Sequence, residues 1–210
     1  MPGAWACWDT SEEGGIAAGR GRGSYTAAMD DIVKAALKKW PNVPHCYDWL
    51  ALDARGDWYM RDERIQAAGP FPQVKGSRIT HDKLREFIHR NYLPDERGAW
   101  FFQNGPQRVY VTLELTPHIW RLHGQADGGG PRIYSHTGPE ATLLHSWLDE
   151  QDRLLLSARL PGMEAPVLGL VHSLDMGLAA EAVEQSAWAP ASASFEALCR
   201  EHGVVWHPQP

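Results

Sequence analysis

Asp53-Ala54-Arg55-Gly56-Asp57-Trp58-Tyr59-Met60 is answered later in the chain by Asp95-Glu96-Arg97-Gly98-Ala99-Trp100-Phe101-Phe102. Both read Asp, any, Arg, Gly, any, Trp, aromatic, and each is preceded by an aromatic and a leucine, Trp49-Leu50 and Tyr92-Leu93. A looser echo follows at Trp147-Leu148-Asp149-Glu150-Gln151-Asp152-Arg153-Leu154-Leu155. Self-similarity of this kind marks a reused supersecondary unit, here strand, tight turn, strand. Gly56 and Gly98 stand where such a turn takes a positive φ. The aspartate at the head of each turn reads as an acceptor for the turn's own N–H groups, in preference to a pair of acid/base carboxylates. Two related hairpin units are thus predicted, at about 47–61 and 92–103.

Around these units the pattern is α+β. Val33, Ala36, Leu37 and Trp40 recur at helical spacing behind Asp30 or Asp31 as cap, and Pro41 ends the run. Residues 66–76, punctuated by Gly69, Pro70, Pro72 and Gly76, predict a loop and not a helix. Thr80 is the expected cap of an inserted helix with Leu84, Phe87 and Ile88 on one face. Asn104-Gly105 is a hairpin signal that feeds 107–115, where Val109, Val111, Leu113 and Leu115 alternate with polar residues. Strict alternation predicts one buried and one wet face, as in an antiparallel sheet. Further strands are expected at 118–123, 132–136, 142–148, 153–159 and 167–172. Ser173 or Asp175, then Ser192 or Ser194, are expected to cap two closing helices, with a short edge strand at 204–206. The predicted fold is a curved antiparallel sheet or partly open barrel with an N-terminal helix, one inserted helix and C-terminal helices.

The chain has 210 residues, enough for one domain that buries its own core. Residues 1–28, with six glycines and no periodicity, read as a disordered leader, either an unstructured arm or an upstream start-site artefact ahead of Met29. Residues 29–210 are expected to form a single α+β domain. Three scattered cysteines make no disulfide framework and fit a reducing compartment. A net charge of −6 gives no global attraction to phosphate backbones, so nucleic acid is not an expected partner. No apolar run is long enough to span a bilayer, and Glu12 and Glu13 interrupt any signal peptide. The expected location is the cytoplasm, with no membrane partner.

From about Met29 to Leu122 the chain resembles a group of uncharacterised proteobacterial proteins of unknown function. The resemblance rests on Lys39-Trp40-Pro41-Asn42-Val43-Pro44, Gly56-Asp57-Trp58-Tyr59-Met60, Gly69-Pro70-Phe71-Pro72 and the run from Trp100-Phe101-Phe102-Gln103-Asn104-Gly105 to Val109-Tyr110-Val111. More distantly, Gly-x-Trp-Tyr, then Leu84 and Phe87, then Gly-x-Trp-Phe and Val-x-Val are similar to another proteobacterial family of unknown function. That family is built from repeated motifs, and signalling has been suggested for it. The resemblance implies a compact cytoplasmic bacterial domain and brings no catalytic residue.

The chemistry-bearing motifs are sparse. Cys199, His202 and His207 are spaced too loosely for a structural zinc site, so no metal and no cofactor is expected. His172-Ser173-Leu174-Asp175 holds triad residue types as sequence neighbours, without a nucleophile elbow. Lys75-Gly76-Ser77 has the residues of a phosphate loop in the wrong order and reads as a surface turn. What remains is a proline-bearing loop over aromatic rings, with Trp58, Tyr59, Phe71, Lys75 and Trp100 as candidate ligand-binding residues. The expectation is a non-catalytic binding or regulatory module whose partner is a protein or a small molecule. The alternative is a hydrolase-type enzyme using some of His118, His123, His136, His145 and His172 with a carboxylate; catalytic residues are otherwise unassigned.

Overall fold

A computed structural model describes residues 35, 38–40, 43–125 and 130–210. The leader 1–28 and most of the helix expected from Val33 to Trp40 lie outside the described residues. Two sheets dominate. The first contains β1 (Cys46–Leu52), β2 (Trp58–Met60), β3 (Ser77–Arg78), β4 (Tyr92–Pro94), β5 (Trp100–Asn104) and β6 (Gln107–Leu113) in the order β3-β2-β1-β6-β5-β4. The second contains β7 (His118–His123), β8 (Arg132–Ser135), β9 (Glu140–Leu148), β10 (Leu154–Arg159) and β11 (Val167–Val171), with a two-residue strand β12 (Ala191–Ser192) beside β9. Because β10 pairs with both β9 and β11, this second sheet closes into a five-stranded barrel.

The α+β class holds, with three corrections to its detail. The second sheet is a closed barrel where a curved antiparallel sheet or a partly open barrel was expected: β9 pairs with β8 on one side and β10 on the other, with a register shift at Ser157/Ala158. The sheets are mixed, since β1 pairs with β6, β7 with β11 and β9 with β12 in parallel. Finally, β6 has no wet face. Tyr110 and Thr112 are buried along with Val109, Val111 and Leu113. Their polar atoms are satisfied locally, Tyr110 Oη donating to Asp95 Oδ2 and Thr112 Oγ1 to Asp48 Oδ1.

Among the described residues from 43 onward, four helices accompany the sheets. The first, α1 (Glu63–Ala68), occupies part of the stretch expected to be loop; Asp62 caps it by accepting from Ile65 N at 3.0 Å, and Gly69 ends it. The expected inserted helix is α2 (Asp82–Arg90), capped by His81 rather than Thr80. After a 3-10 turn (Ser173–Asp175) come α3 (Met176–Glu184) and α4 (Phe195–Glu201). His172 Nδ1 caps the 3-10 turn, while the Asp175 carboxylate makes no cap and turns instead to Arg121. Residues 204–206 are not a strand, although Leu113 N donates to Trp206 O at 2.9 Å.

The hairpin turns explain the aspartates. Asp53 Oδ1 accepts from the N–H groups of Arg55 (2.9 Å) and Asp57 (3.0 Å). Asp95 Oδ1 accepts from Arg97 and Ala99, both at 2.9 Å. Asp149 Oδ1 accepts from Gln151 and Arg153, again at 2.9 Å. Gly56 and Gly98 both take φ 82°, and Asp152 takes the same turn position at φ 56°. A continuous core, including Leu50, Trp58, Phe102, Trp120, Leu122 and Leu156, runs from the first sheet into the barrel. Inside the barrel Trp120 is fully buried, its indole N–H donating to Leu156 O at 3.0 Å. Among the described residues, no helix is long and apolar enough to cross a membrane.

Candidate functional site

Where the first sheet meets the barrel, local periodicities bring polar rings together. On β7, His118 and Trp120 are two residues apart and share a face, their rings stacked at 5.5 Å. On α2, Arg85 and His89 are four apart and neighbour each other on one side of the helix. The end of β8 and the turn that follows contribute Ser135, His136 and Thr137. Tyr92 and Trp100, on paired strands β4 and β5, complete the wall, with Tyr92 5.1 Å from Trp58 and 4.6 Å from Trp100.

The histidines form a cluster. The His118 and His136 rings are 5.4 Å apart, and His89 is 5.8 Å from His136. His118 Nδ1 lies 2.7 Å from Ser135 Oγ, which in turn lies 2.8 Å from Thr137 Oγ1. His136 Nδ1 accepts from Ile119 N at 3.2 Å, so a neutral His136 carries its proton on Nε2. His89 Nε2 accepts from the Trp58 indole N–H at 3.0 Å. The Nε2 atoms of His118 and His136 are sealed from solvent and have no partner among the described residues. Burial pushes the His118 pKa down to about 3, with His89 adding to the effect. His89 falls to about 4 through burial and the nearby Arg85 and Arg90, and His136 lies well below its ordinary value through burial and the two neighbouring imidazoles. All three are neutral at pH 7.

Two spaces flank this cluster, and His89 borders both. One is a cavity of about 110 Å³ walled by Tyr92, Trp100, His118, Pro139, Leu160 and Met163. The other is a polar basin of about 460 Å³ that receives Arg55, Arg85, Arg121, His123, Tyr134 and His136. Among the described residues no three His, Cys, Asp or Glu side chains converge to hold a metal ion.

Of the sequence-nominated ligand residues, Tyr59, Phe71 and Lys75 gather on one side of the first sheet around Asp53. Lys75 Nζ sits 2.8 Å from Asp53 Oδ2 and 3.5 Å from Glu114 Oε2; Tyr59 Oη donates to Asp53 Oδ2 at 3.2 Å, and the Tyr59 and Phe71 rings are 6.2 Å apart. Burial works to raise the Asp53 carboxyl, but the Lys75 contact and the N–H groups of Asp57 and Arg55 outweigh it and hold the pKa below the usual range. Trp58 and Trp100 lie apart from these three, at 1% and 5% exposure, and pack on Tyr92. Strand alternation separates Trp58 from Tyr59.

The five nominated histidines also divide. His118 and His136 meet, whereas His123 packs on Tyr134, His145 beside Trp147, and His172 caps the 3-10 turn. His89, Ser135, Arg85 and Arg121 were missed by sequence reading, which weighs Arg55 as an anion site but reads it as turn or surface. Their signals were the Arg85/His89 spacing on a helix and the polar Ser135-His136-Thr137 run closing a strand.

The DUF2944 family, described as "Protein of unknown function (DUF2946)", matches residues 29–209. The chain belongs to this family. No curated protein matches it. Among solved structures, this DUF2944 chain is similar to a DUF1285 family protein from Shewanella baltica OS155, at 13% identity and a TM-score of 0.43, covering 66% of this chain and 96% of the other. It is also similar to a DUF1285 family protein from Silicibacter pomeroyi DSS-3, at 10% identity and a TM-score of 0.41, covering 71% and 82%.

Proposed function

We propose that this protein is a non-catalytic binding or regulatory module of the cytoplasm that takes a small ligand in the cavity beside His118. The observation that carries the reading is that cavity: aromatic and aliphatic walls around a His118 that is 2% exposed and whose Nε2 has no partner. A buried polar atom without a partner costs about 1–3 kcal/mol, and a bound polar group relieves that cost. The space is on the scale of one small planar ring, as a dry cavity of about 150 Å³ accepts benzene. His118 can donate or accept at Nε2, because Ser135 Oγ is able to take either role toward Nδ1. A single ring bearing a hydroxyl or carbonyl suits it.

The hydrolase alternative is disfavoured by the same geometry. His118 touches a serine hydroxyl, but no carboxylate holds its other nitrogen, and a pKa near 3 makes it a weak base at neutral pH. A reducing location is supported by Cys46 and Cys199, which form no disulfide among the described residues and whose thiols burial pushes up to about 11 and about 12. The shared turn contacts at Asp53 and Asp95 support reading the two hairpins as related units, and the common core supports one domain over 29–210.

Titration with phenol and 2-pyridone, followed by tryptophan fluorescence excited at the red edge, tests the reading. Saturable quenching that is lost in His118→Phe is expected. No saturable response to either compound removes the cavity reading.

A further inference from the structure

We propose that the basin between the β1–β2 turn, α2 and the β7–β8 pair is a second site, independent of the cavity, and that it binds a small phosphate monoester. Its walls bring Arg55 from the turn, Arg85 from the helix and Arg121 from the strand to one space of about 460 Å³. In a chain of net charge −6, three guanidinium groups line one concavity, and the charge of Arg55 is the one that no carboxylate among the described residues neutralises.

Each charge around the basin has an assigned partner or lacks one. Arg121 is gripped along one edge by Asp175, Nε at 2.6 Å and Nη2 at 3.1 Å, which leaves Nη1 outside that fork. Arg85 gives Nη2 to Asp82 at 2.5 Å, while its Nε is buried with no acceptor. Arg55 is exposed, and its side chain makes no hydrogen bond or ion pair among the described residues. The carboxylate in the lining, Asp57, is engaged by Arg78 at 2.6 Å. His136 borders the basin with its own Nε2 unpartnered. The surplus in this concavity is therefore of donors, and an oxyanion supplies what they lack.

Shape selects among oxyanions. The donors approach from three separate elements, with His123 and Tyr134 on the barrel side. A tetrahedral dianion offers three oxygens in different directions, whereas one carboxylate offers two in a plane, so the arrangement matches a phosphoryl group. The basin is also several times larger than a bare phosphate requires, which leaves room for the organic half of an ester.

Calorimetric titration of the full chain at low salt tests this with three probes: glycerol 3-phosphate, inorganic phosphate and succinate. One saturable site is expected for glycerol 3-phosphate, with weaker binding of the other two. Arg55→Gln is expected to weaken it about tenfold or more, the loss of one charge-assisted contact. Arg159→Gln, which removes an exposed arginine outside the basin, should leave it unchanged. Both positions are exposed, so neither change disturbs packing. The proposal is overturned by the absence of saturable binding below about 10 mM, by equal weakening in the two variants, or by inorganic phosphate or succinate binding as tightly as the ester. Phenol binding at the cavity is a separate measurement, so failure here leaves that reading standing and the reverse.

Discussion

The imidazoles of His118 and His136 stand 5.4 Å apart, centroid to centroid, and neither Nε2 has a hydrogen-bond partner among the described residues. With His89 they form a group held neutral by burial, His118 down to about 3, His89 to about 4 and His136 well below its usual value. In the unfolded chain each protonates near pH 6.5. Between that pH and the folded values the unfolded state binds more protons, so stability is complete above about pH 6.5 and is lost as pH falls. The loss begins before the turn carboxylates Asp53, Asp95 and Asp149 protonate, since their pKa values are held below 3.8. Urea unfolding between pH 7 and pH 4.5 should show a slope of about 1.4 kcal/mol per pH unit for each imidazole involved. His89→Gln should remove roughly one such contribution; a flat profile in the parent protein would contradict the burial of the cluster.

Asp149 makes a graded test of the turns. Its side chain is fully buried, accepts from two backbone N–H groups, and meets Arg153 Nη2 at 2.6 Å. Asp149→Ala strands both N–H groups and is expected to cost about 1–3 kcal/mol. Asp149→Asn keeps a carbonyl oxygen for the turn and should cost less. Equal losses in urea denaturation would mean that the charge on Asp149, and not its acceptor geometry, organises the turn.

Gly98 and Gly138 both have positive φ, 82° and 110°, yet their surroundings differ. A Cβ at Gly98 would lie 2.1 Å from the Gly203 carbonyl oxygen, whereas a Cβ at Gly138 meets nothing within 4 Å. Gly138→Ala carries only the backbone penalty of about 1 kcal/mol. Gly98→Ala must also displace the segment after α4, so its melting temperature should fall further than that of Gly138→Ala.

Local patterns made much of the β framework legible. His118–His123 appears at its expected limits, and the Asp-x-Arg-Gly phrases do form turns, because alternation and turn chemistry act over a few residues. Pairing partners were not legible. That β1 lies parallel to β6, or that β10 closes on β9, depends on which distant strands share a core. The six-residue helix α1 was hidden by the Gly69-Pro70 punctuation just beyond it. At the site, Trp100 and His118 could be named from the chain, but their 4.7 Å ring contact joins the first sheet to the barrel and has no sequence signature. His89 and Ser135 acquire meaning only through that junction.

Lys75 separates a structural ammonium from a phosphate-binding one. It lies 2.8 Å from Asp53 Oδ2, where the aspartate side chain is 1% exposed and the lysine 38%. Lys75→Met leaves the buried carboxylate with Tyr59 Oη and two backbone N–H groups. Lysine exposure and solvent screening moderate the loss, which is expected at about 1–3 kcal/mol. The Asp53 pKa, now held down chiefly against its burial by Lys75, should move up. A carboxylate with a depressed folded pKa stabilises above its unfolded value and loses that contribution as pH falls. Raising the folded pKa brings the loss to higher pH, so the Lys75→Met protein should unfold at less acidic pH than its parent. If Lys75 served a ligand instead, the variant would keep its acid profile and change only in binding, and paired acid-titration and calorimetric curves separate these outcomes.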